Sequence, residues 1–393
     1  MRILMISDVY FPRVNGVSTS IQTFRSELVS LGHETTLIAP AYPVAYPEEE
    51  GILRIASIRV PLDPEDRMMR PGAVRRRLPE LQAGAYDLVH IQTPFVAHYL
   101  GVEIAAALGV PCIETYHTFF EEYLFHYVPF VPRAWLRGLA RRFSRTQSGQ
   151  VDALIVPSSA MRDRLAQYGV VTRMHVLPTG IPLADFAAGD GPGFRARHGI
   201  PAGRPVLLFV GRVAFEKNIH FLLDALALAR RQIPELLLVI AGEGPALNGL
   251  HRHARAAGLE EHVRFVGYLD RKRELLDCYR AADAFVFASR TETQGLVLLE
   301  AMALGVPVIS TAVMGTRDIL VPQRGALVAE DNVEDFTAKI VTMMRDAELR
   351  RRIAAEGRRY VREWQADALA KRLGSLYESM VPAASPSRLA AAV

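Results

Sequence analysis

Glu292 and Glu300 stand with seven residues between them in TETQGLVLLEAMALGVPVI, residues 291–309. Gly295 is placed to open the helix that carries Glu300, with Leu299, Met302 and Ala303 facing the core. Backbone amides of Gly295, Leu296 and Val297 would then point at a phosphate, because a glycine at a helix start removes the Cβ that keeps an anion away. Carboxylates are good acceptors for sugar hydroxyls, so one can hold a ribose and the other a transferred hexose. Arg212 and Lys217 lie five apart in VGRVAFEKN, residues 210–218, on a loop where both can converge on one polyanion. A diphosphate leaving group needs such cations, since its negative charge grows in the transition state. AGEGP, residues 241–245, and Asn15-Gly16 are two more strand-to-helix glycine turns. The Asn15-Gly16 turn is neither GxGxxG nor a Walker loop, which weakens the dinucleotide and P-loop readings, and AGEGP taken alone is no more than a connecting turn. His117, in ETYHTFFEEY, follows a strand at the edge where ligands collect.

Positioning these residues requires strands that end beside one another. Short apolar runs at 2–7, 35–39, 87–91, 111–116, 153–156 and 174–177 read as parallel strands buried on both faces. Val17, Ile21, Phe24, Leu28 and Leu31 keep helical spacing, and Gly32 stops that helix. A Gly/Pro/Ala-rich stretch over 178–205 interrupts the alternation, which restarts at 206–210, 236–241, 263–266, 284–287, 306–310 and 325–328. The pattern predicts two doubly wound α/β domains, 1–178 and 179–364, with ligands at the carboxyl ends of strands and a cleft between the domains as the default site. A helix over about 365–380 is expected to pack back on the first domain, and 381–393 reads as a disordered tail.

Composition narrows the class. In 393 residues, 46 Lys plus Arg against 42 Asp plus Glu leave a net +4, too small an excess for a nucleic-acid coat protein. Two distant cysteines, Cys112 and Cys278, exclude a disulfide scaffold and a four-Cys zinc site, and fit a reducing cytoplasm. Residues 1–7 lack the features of a signal peptide, and no run of 18 apolar residues spans a membrane.

The combination GRxxxEK, AGEGP and E-x7-E with EAMALGVPVI resembles the retaining glycosyltransferases of family 4, and with the N-terminal glycine turn the resemblance covers nearly the whole chain. It implies a GT-B fold, in which the C-terminal domain binds a nucleotide-diphosphate sugar and the N-terminal domain the acceptor. It implies that Arg212 and Lys217, with Gly295, Leu296 and Val297, bind the diphosphate and that Gly16 approaches it from the opposite domain. Glu292 would hold the hexose hydroxyls together with Thr293 and Gln294, and Glu300 the ribose. His117 would lie beside the reacting carbon, with Glu292 as the other catalytic group. The family needs no metal, and this chain lacks a DxD motif. Many members have Phe-Gly after the first glutamate. Here Thr293-Gln294-Gly295 follows it, a departure that bears on sugar selectivity more than on the amides.

Positive charge gathers in two acid-free segments. Arg67, Arg70, Arg75, Arg76 and Arg77 form one; Arg133, Arg137, Arg141, Arg142 and Arg145 form the other. In 132–145 the arginines at 133, 137, 141 and 145 repeat every four residues, and Trp135, Leu136, Leu139 and Phe143 make another face. Such a helix either packs in the ordinary way or lies on an anionic membrane. YFPRVNGVSTSI, ETYHTFFEEY and TETQGLVLLEAMA look like the subgroup that glucosylates diacylglycerol from UDP-glucose as peripheral membrane enzymes. That makes Arg133, Trp135, Arg137, Arg141, Arg142 and Arg145 candidate membrane contacts. GDP-mannose-dependent mannosyltransferases on lipid or glycan acceptors share much of the pattern, and transfer to a soluble sugar or polysaccharide precursor is a further alternative. A nucleotide-sugar epimerase and a non-catalytic nucleotide-sugar-binding protein are the readings from other classes.

Overall fold

The computed structural model describes residues 1–44, 49–60, 63–117 and 133–381, without the side chains of 63–65, 133 and 134. The end of the ETYHTFFEEY string, the Arg133 side chain and the expected tail from residue 382 on lie outside the described residues. The chain forms two compact units, one made of Met1–Gly180 with the stretch from Ala366 onward and the other of Ile181–Gln365.

The first unit is built on β1 (Arg2–Ile6), β2 (Glu34–Pro40), β3 (Ile52–Ile55), β6 (Leu88–Ile91), β7 (Cys112–Thr115), β8 (Ala153–Val156) and β9 (Met174–Val176). They form a sheet of order β3-β2-β1-β6-β7-β8-β9, parallel throughout. Strands β6, β7 and β8 are buried along their whole length, as a parallel sheet covered on both faces requires, with His90, Glu114 and Thr115 as the polar residues among them. The apolar pattern does not reveal β3, nor β4 (Ser57–Val60) and β5 (Asp63–Met69), which pair as an antiparallel hairpin beside the main sheet. The Gly16–Ser30 helix buries Ile21, Phe24 and Leu28 against β1. The Ala366–Met380 helix lies alongside it, adding Leu369, Leu373 and Tyr377 to the same core.

The second unit has β10 (Val206–Val210), β11 (Leu237–Ala241), β12 (Val263–Gly267), β13 (Ala284–Phe287), β14 (Val308–Thr311) and β15 (Ala326–Ala329). Their order is β12-β11-β10-β13-β14-β15, again all parallel. The chain moves outward from β10 on one side, then returns to β13 on the other. The loops leaving β10 and β13 therefore stand side by side at the sheet's carboxyl edge, where open α/β sheets take their ligands. In the first unit the same reversal falls between β1 and β6. The Gly/Pro/Ala-rich stretch is not a bare linker: Phe186, Phe194 and Ile200 are buried in the second unit's core, and a helix spans Gly191–Arg197.

Candidate functional site

The loop that follows β10 and the loop that follows β13 meet at the carboxyl edge of the second unit's sheet. Three contacts zip these loops together. Lys217 Nζ donates to Glu292 Oε2 at 2.5 Å, Asn218 Nδ2 donates to the Ala288 carbonyl at 3.2 Å, and Ser289 Oγ donates to the Glu216 carbonyl at 3.3 Å. The Lys217 and Glu292 side chains keep about a fifth of their surface in water, 20% and 21%. A cation and a carboxylate thus face each other at an open edge, the pair compensating charge until a ligand competes for either partner.

The β10 loop is held from behind by the AGEGP turn. Val213 N–H donates to the Glu243 carbonyl and Ala246 N–H to the Val213 carbonyl, at 2.8 and 3.0 Å. A Cβ on Gly242 would overlap the Gly211 carbonyl oxygen. This glycine is therefore required by backbone packing behind Arg212, and the turn is a support for the site.

Glycine serves a different need at 295. It caps the Leu296–Ala303 helix in the left-handed region, with φ +102°, and no side chain caps that end. The first N–H groups of a helix have no partner within it, so those of Leu296 and Val297 point out of the helix start with its partial positive charge. Gly315 N–H donates to the Glu292 carbonyl at 2.8 Å and fixes the approach to that start. Thr293 is partly exposed beside Glu292, whereas Gln294 is buried.

Glu300 sits one turn further along, only 3% exposed. Both of its oxygens are engaged: Arg271 Nη2 donates to Oε1 at 2.6 Å, and the Tyr279 hydroxyl donates to Oε2 at 2.9 Å. Glu300 holds the Arg271 guanidinium above its usual range, and burial together with Glu300 raises the Tyr279 phenol far above its own. Sequence reasoning missed both partners. Arg271 stands in DRKREL among three consecutive cations, and Tyr279 in the short mixed helix ELLDCYR, so neither carried a spacing signal.

In the first unit, Asn15 caps the Gly16–Ser30 helix by accepting from Ser18 N–H at 2.8 Å. Gly16 is exposed and a Cβ there would meet nothing within 4 Å. Packing within the chain therefore does not demand a glycine here, which leaves room for an incoming group as its use. Asp8, at the end of β1, accepts from Thr93 Oγ1 at 2.8 Å and from Ala97 N–H at 3.1 Å, tying β1 to the helix after β6 across the sheet's reversal. Burial pushes its carboxyl up to about 6. His117 follows β7, partly exposed, with Nε2 3.2 Å from Gln92 Oε1. Burial lowers its imidazole to about 4, so the ring is neutral at pH 7.

The Arg133–Ser148 helix divides differently from its sequence pattern. Leu136, Ala140 and Ser144 are buried, and Ser144 Oγ lies 2.8 Å from the Tyr116 hydroxyl. Trp135 and Leu139 are not packed with Leu136; they are 78% and 57% exposed. Arg137, Arg141, Arg142 and Arg145 are exposed as well, Arg141 lying over the Tyr168 ring. In the other basic segment, Arg75 and Arg77 are already paired with Glu103 and Glu80. Among the described residues no helix is long and apolar enough to cross a membrane.

Two family models match the chain: Glycosyltransferase Family 4 over residues 14–185 and glycosyl transferases group 1 over residues 192–360. An alpha-monoglucosyldiacylglycerol synthase of Streptococcus pneumoniae is 37% identical over 319 residues, 79% of this chain and 71% of that one. A GDP-mannose-dependent alpha-mannosyltransferase of Mycolicibacterium smegmatis is 31% identical over 93% of this chain and 94% of that one. Among solved structures, sucrose-phosphate synthase from Thermosynechococcus elongatus superposes with a TM-score of 0.76 over 96% of this chain and 98% of that one, at 22% identity, a likeness of fold.

Proposed function

Because the chain belongs to glycosyltransferase family 4 and has the GT-B fold, we propose that it moves glucose from UDP-glucose to a diacylglycerol acceptor at a membrane surface, with retention of configuration. The observation that carries the donor half is the Lys217–Glu292 pair at the second unit's topological reversal, beside the uncapped start of the Leu296–Ala303 helix. Lys217, Arg212 and the amides of Gly295, Leu296 and Val297 take the diphosphate, and Glu292, freed from Lys217, accepts from hexose hydroxyls, with Thr293 and Gln294 beside it. Glu300 takes the ribose.

As the bond from the anomeric carbon to the diphosphate oxygen breaks, the growing charge on the leaving group is met by these cations and dipoles. The acceptor oxygen attacks the same face of the sugar, and its proton passes to the departing phosphate oxygen. In this reading the first unit supplies the acceptor site, Gly16 and His117. His117 is neutral, so it orients by hydrogen bonding and is not a cation. The reading assigns the diphosphate's charge to protein groups without a metal ion.

Support for a lipid acceptor is the exposed Trp135–Leu139 pair among arginines, together with the named activity of the pneumococcal relative. The mycobacterial relative supports a second reading, transfer from GDP-mannose. The test is a screen of UDP-glucose, UDP-galactose and GDP-mannose against diacylglycerol in vesicles, a lipid extract and soluble sugars, with and without EDTA. The expected product is an α-glucosyldiacylglycerol, formed only with added lipid and insensitive to EDTA. Transfer from GDP-mannose alone, or to soluble sugars alone, replaces this reading.

A further inference from the structure

We propose that Arg271 and Tyr279 are positioning residues for the donor: together they brace Glu300 so that its carboxylate stays fixed and able to accept from two ribose hydroxyls. The inference rests on the donor reading above and extends it to groups outside the sequence motif.

A carboxylate removed from water is costly to keep ionised unless other groups donate to it. The Glu300 side chain is 4% exposed. An ionised carboxylate offers about four lone-pair directions over its two oxygens. Arg271 takes one on Oε1 and Tyr279 one on Oε2, which leaves one on each oxygen. Two adjacent hydroxyls on a ribose match that remainder.

Tyr279 is itself fully buried, and its hydroxyl also lies 3.4 Å from the Val297 carbonyl. One phenol thus touches both the ribose carboxylate and the first turn of the helix assigned to the diphosphate, and sets one relative to the other. The phenol is held far above its usual range and remains a donor at any working pH.

Arg271 is held as firmly, although its loop is at the surface. Asp270 Oδ2 accepts from the N–H groups of Lys272 and Arg273 at 3.1 Å each, and Glu274 Oε2 accepts from Asp270 N–H at 3.2 Å. These contacts wind the loop into the start of the Glu274–Arg280 helix. Lys272 and Arg273 are exposed, and Arg271 alone of the three turns to Glu300, with its side chain 30% exposed.

The experiment measures binding of whichever of UDP and GDP the full chain prefers, against its 2′-deoxy and 3′-deoxy forms and its monophosphate. The native protein is expected to bind each deoxynucleotide about tenfold more weakly. Glu300→Ala should remove that preference. Tyr279→Phe and Arg271→Gln should shrink it to about threefold or less while keeping the diphosphate-over-monophosphate preference, and Arg271→Lys should restore part of it. Circular dichroism of each variant establishes that it folds. If Glu300→Ala loses the ribose preference but folded Tyr279→Phe and Arg271→Gln keep it in full, the brace is wrong and the donor reading stands. A native protein that does not distinguish ribose from deoxyribose, or a Glu300→Ala variant that still does, overturns the ribose assignment and the brace with it.

Discussion

At the residue scale, the state of His117 decides what it can do. With its imidazole lowered to about 4 by burial, it carries no charge between pH 6 and 8 and cannot stabilise a leaving phosphate as a cation. The expected kcat/KM is flat across pH 6–8, apart from groups on the substrates. A rate that falls as pH rises through about 6.5, the ordinary histidine range, would show a working imidazolium instead. Stability follows with a definite sign. An unfolded histidine takes up its proton near 6.5 and the folded one only near 4, so acid favours the unfolded chain throughout that window. His90, lowered to about 3, acts in the same direction, while Asp8, raised to about 6, opposes them between about 6 and its unfolded value of 3.8. Site residues were unevenly legible at this scale. Arg212, Lys217 and Glu292 in loops and Glu300 in the first turns of a helix announce themselves by type and spacing. Arg271 and Tyr279 do not, because hydrogen bonding across 29 and 21 residues leaves no local period.

At the element scale, the Arg133–Ser148 helix shows what a sequence pattern omits. Its arginines every four residues mark a charged stripe, and Trp135, Leu136, Leu139 and Phe143 mark another face. In the fold, the buried stripe runs through Leu136, Ala140 and Ser144, and Trp135 and Leu139 are left in water with Arg142 one turn on. An exposed tryptophan and leucine amid cations suit the headgroup boundary of an anionic bilayer, each surface cation adding roughly 1 kcal/mol. Trp135→Ala with Arg142→Ala is expected to weaken flotation with anionic vesicles at least tenfold at low salt, yet leave turnover of a detergent-dispersed acceptor unchanged. Equal loss of both would make the helix structural. Leu136→Ala serves as the contrast, since emptying a buried leucine site costs stability of about 2–5 kcal/mol without touching the exposed face.

At the scale of the whole molecule, all twelve strands read from apolar runs are present, most of them buried along their length as parallel strands covered on both faces are. The three strands that were missed, β3, β4 and β5, are partly exposed and mix charge with apolar residues, so they lack that signature. The return of the chain to its first unit is the other feature with a long-range cause. Tyr377, on the Ala366–Met380 helix, is fully buried with its hydroxyl 2.6 Å from His90 Nδ1, and Thr115 Oγ1 lies 2.7 Å from His90 Nε2. The last helix thus supplies a hydrogen-bond partner to the middle of a sheet strand formed nearly 300 residues earlier. Tyr377→Phe keeps the ring in the core but leaves a buried ring nitrogen without that partner, at an expected cost of about 1–3 kcal/mol. Hydrogen exchange followed by mass spectrometry separates a local effect from a global one. Protection should fall in β1, β6 and β7, which share that core, and stay unchanged in β10 and β13 of the other unit. A uniform loss across both sheets would mean that the last helix supports the entire chain, while no loss in β6 would mean that His90 finds its partner elsewhere.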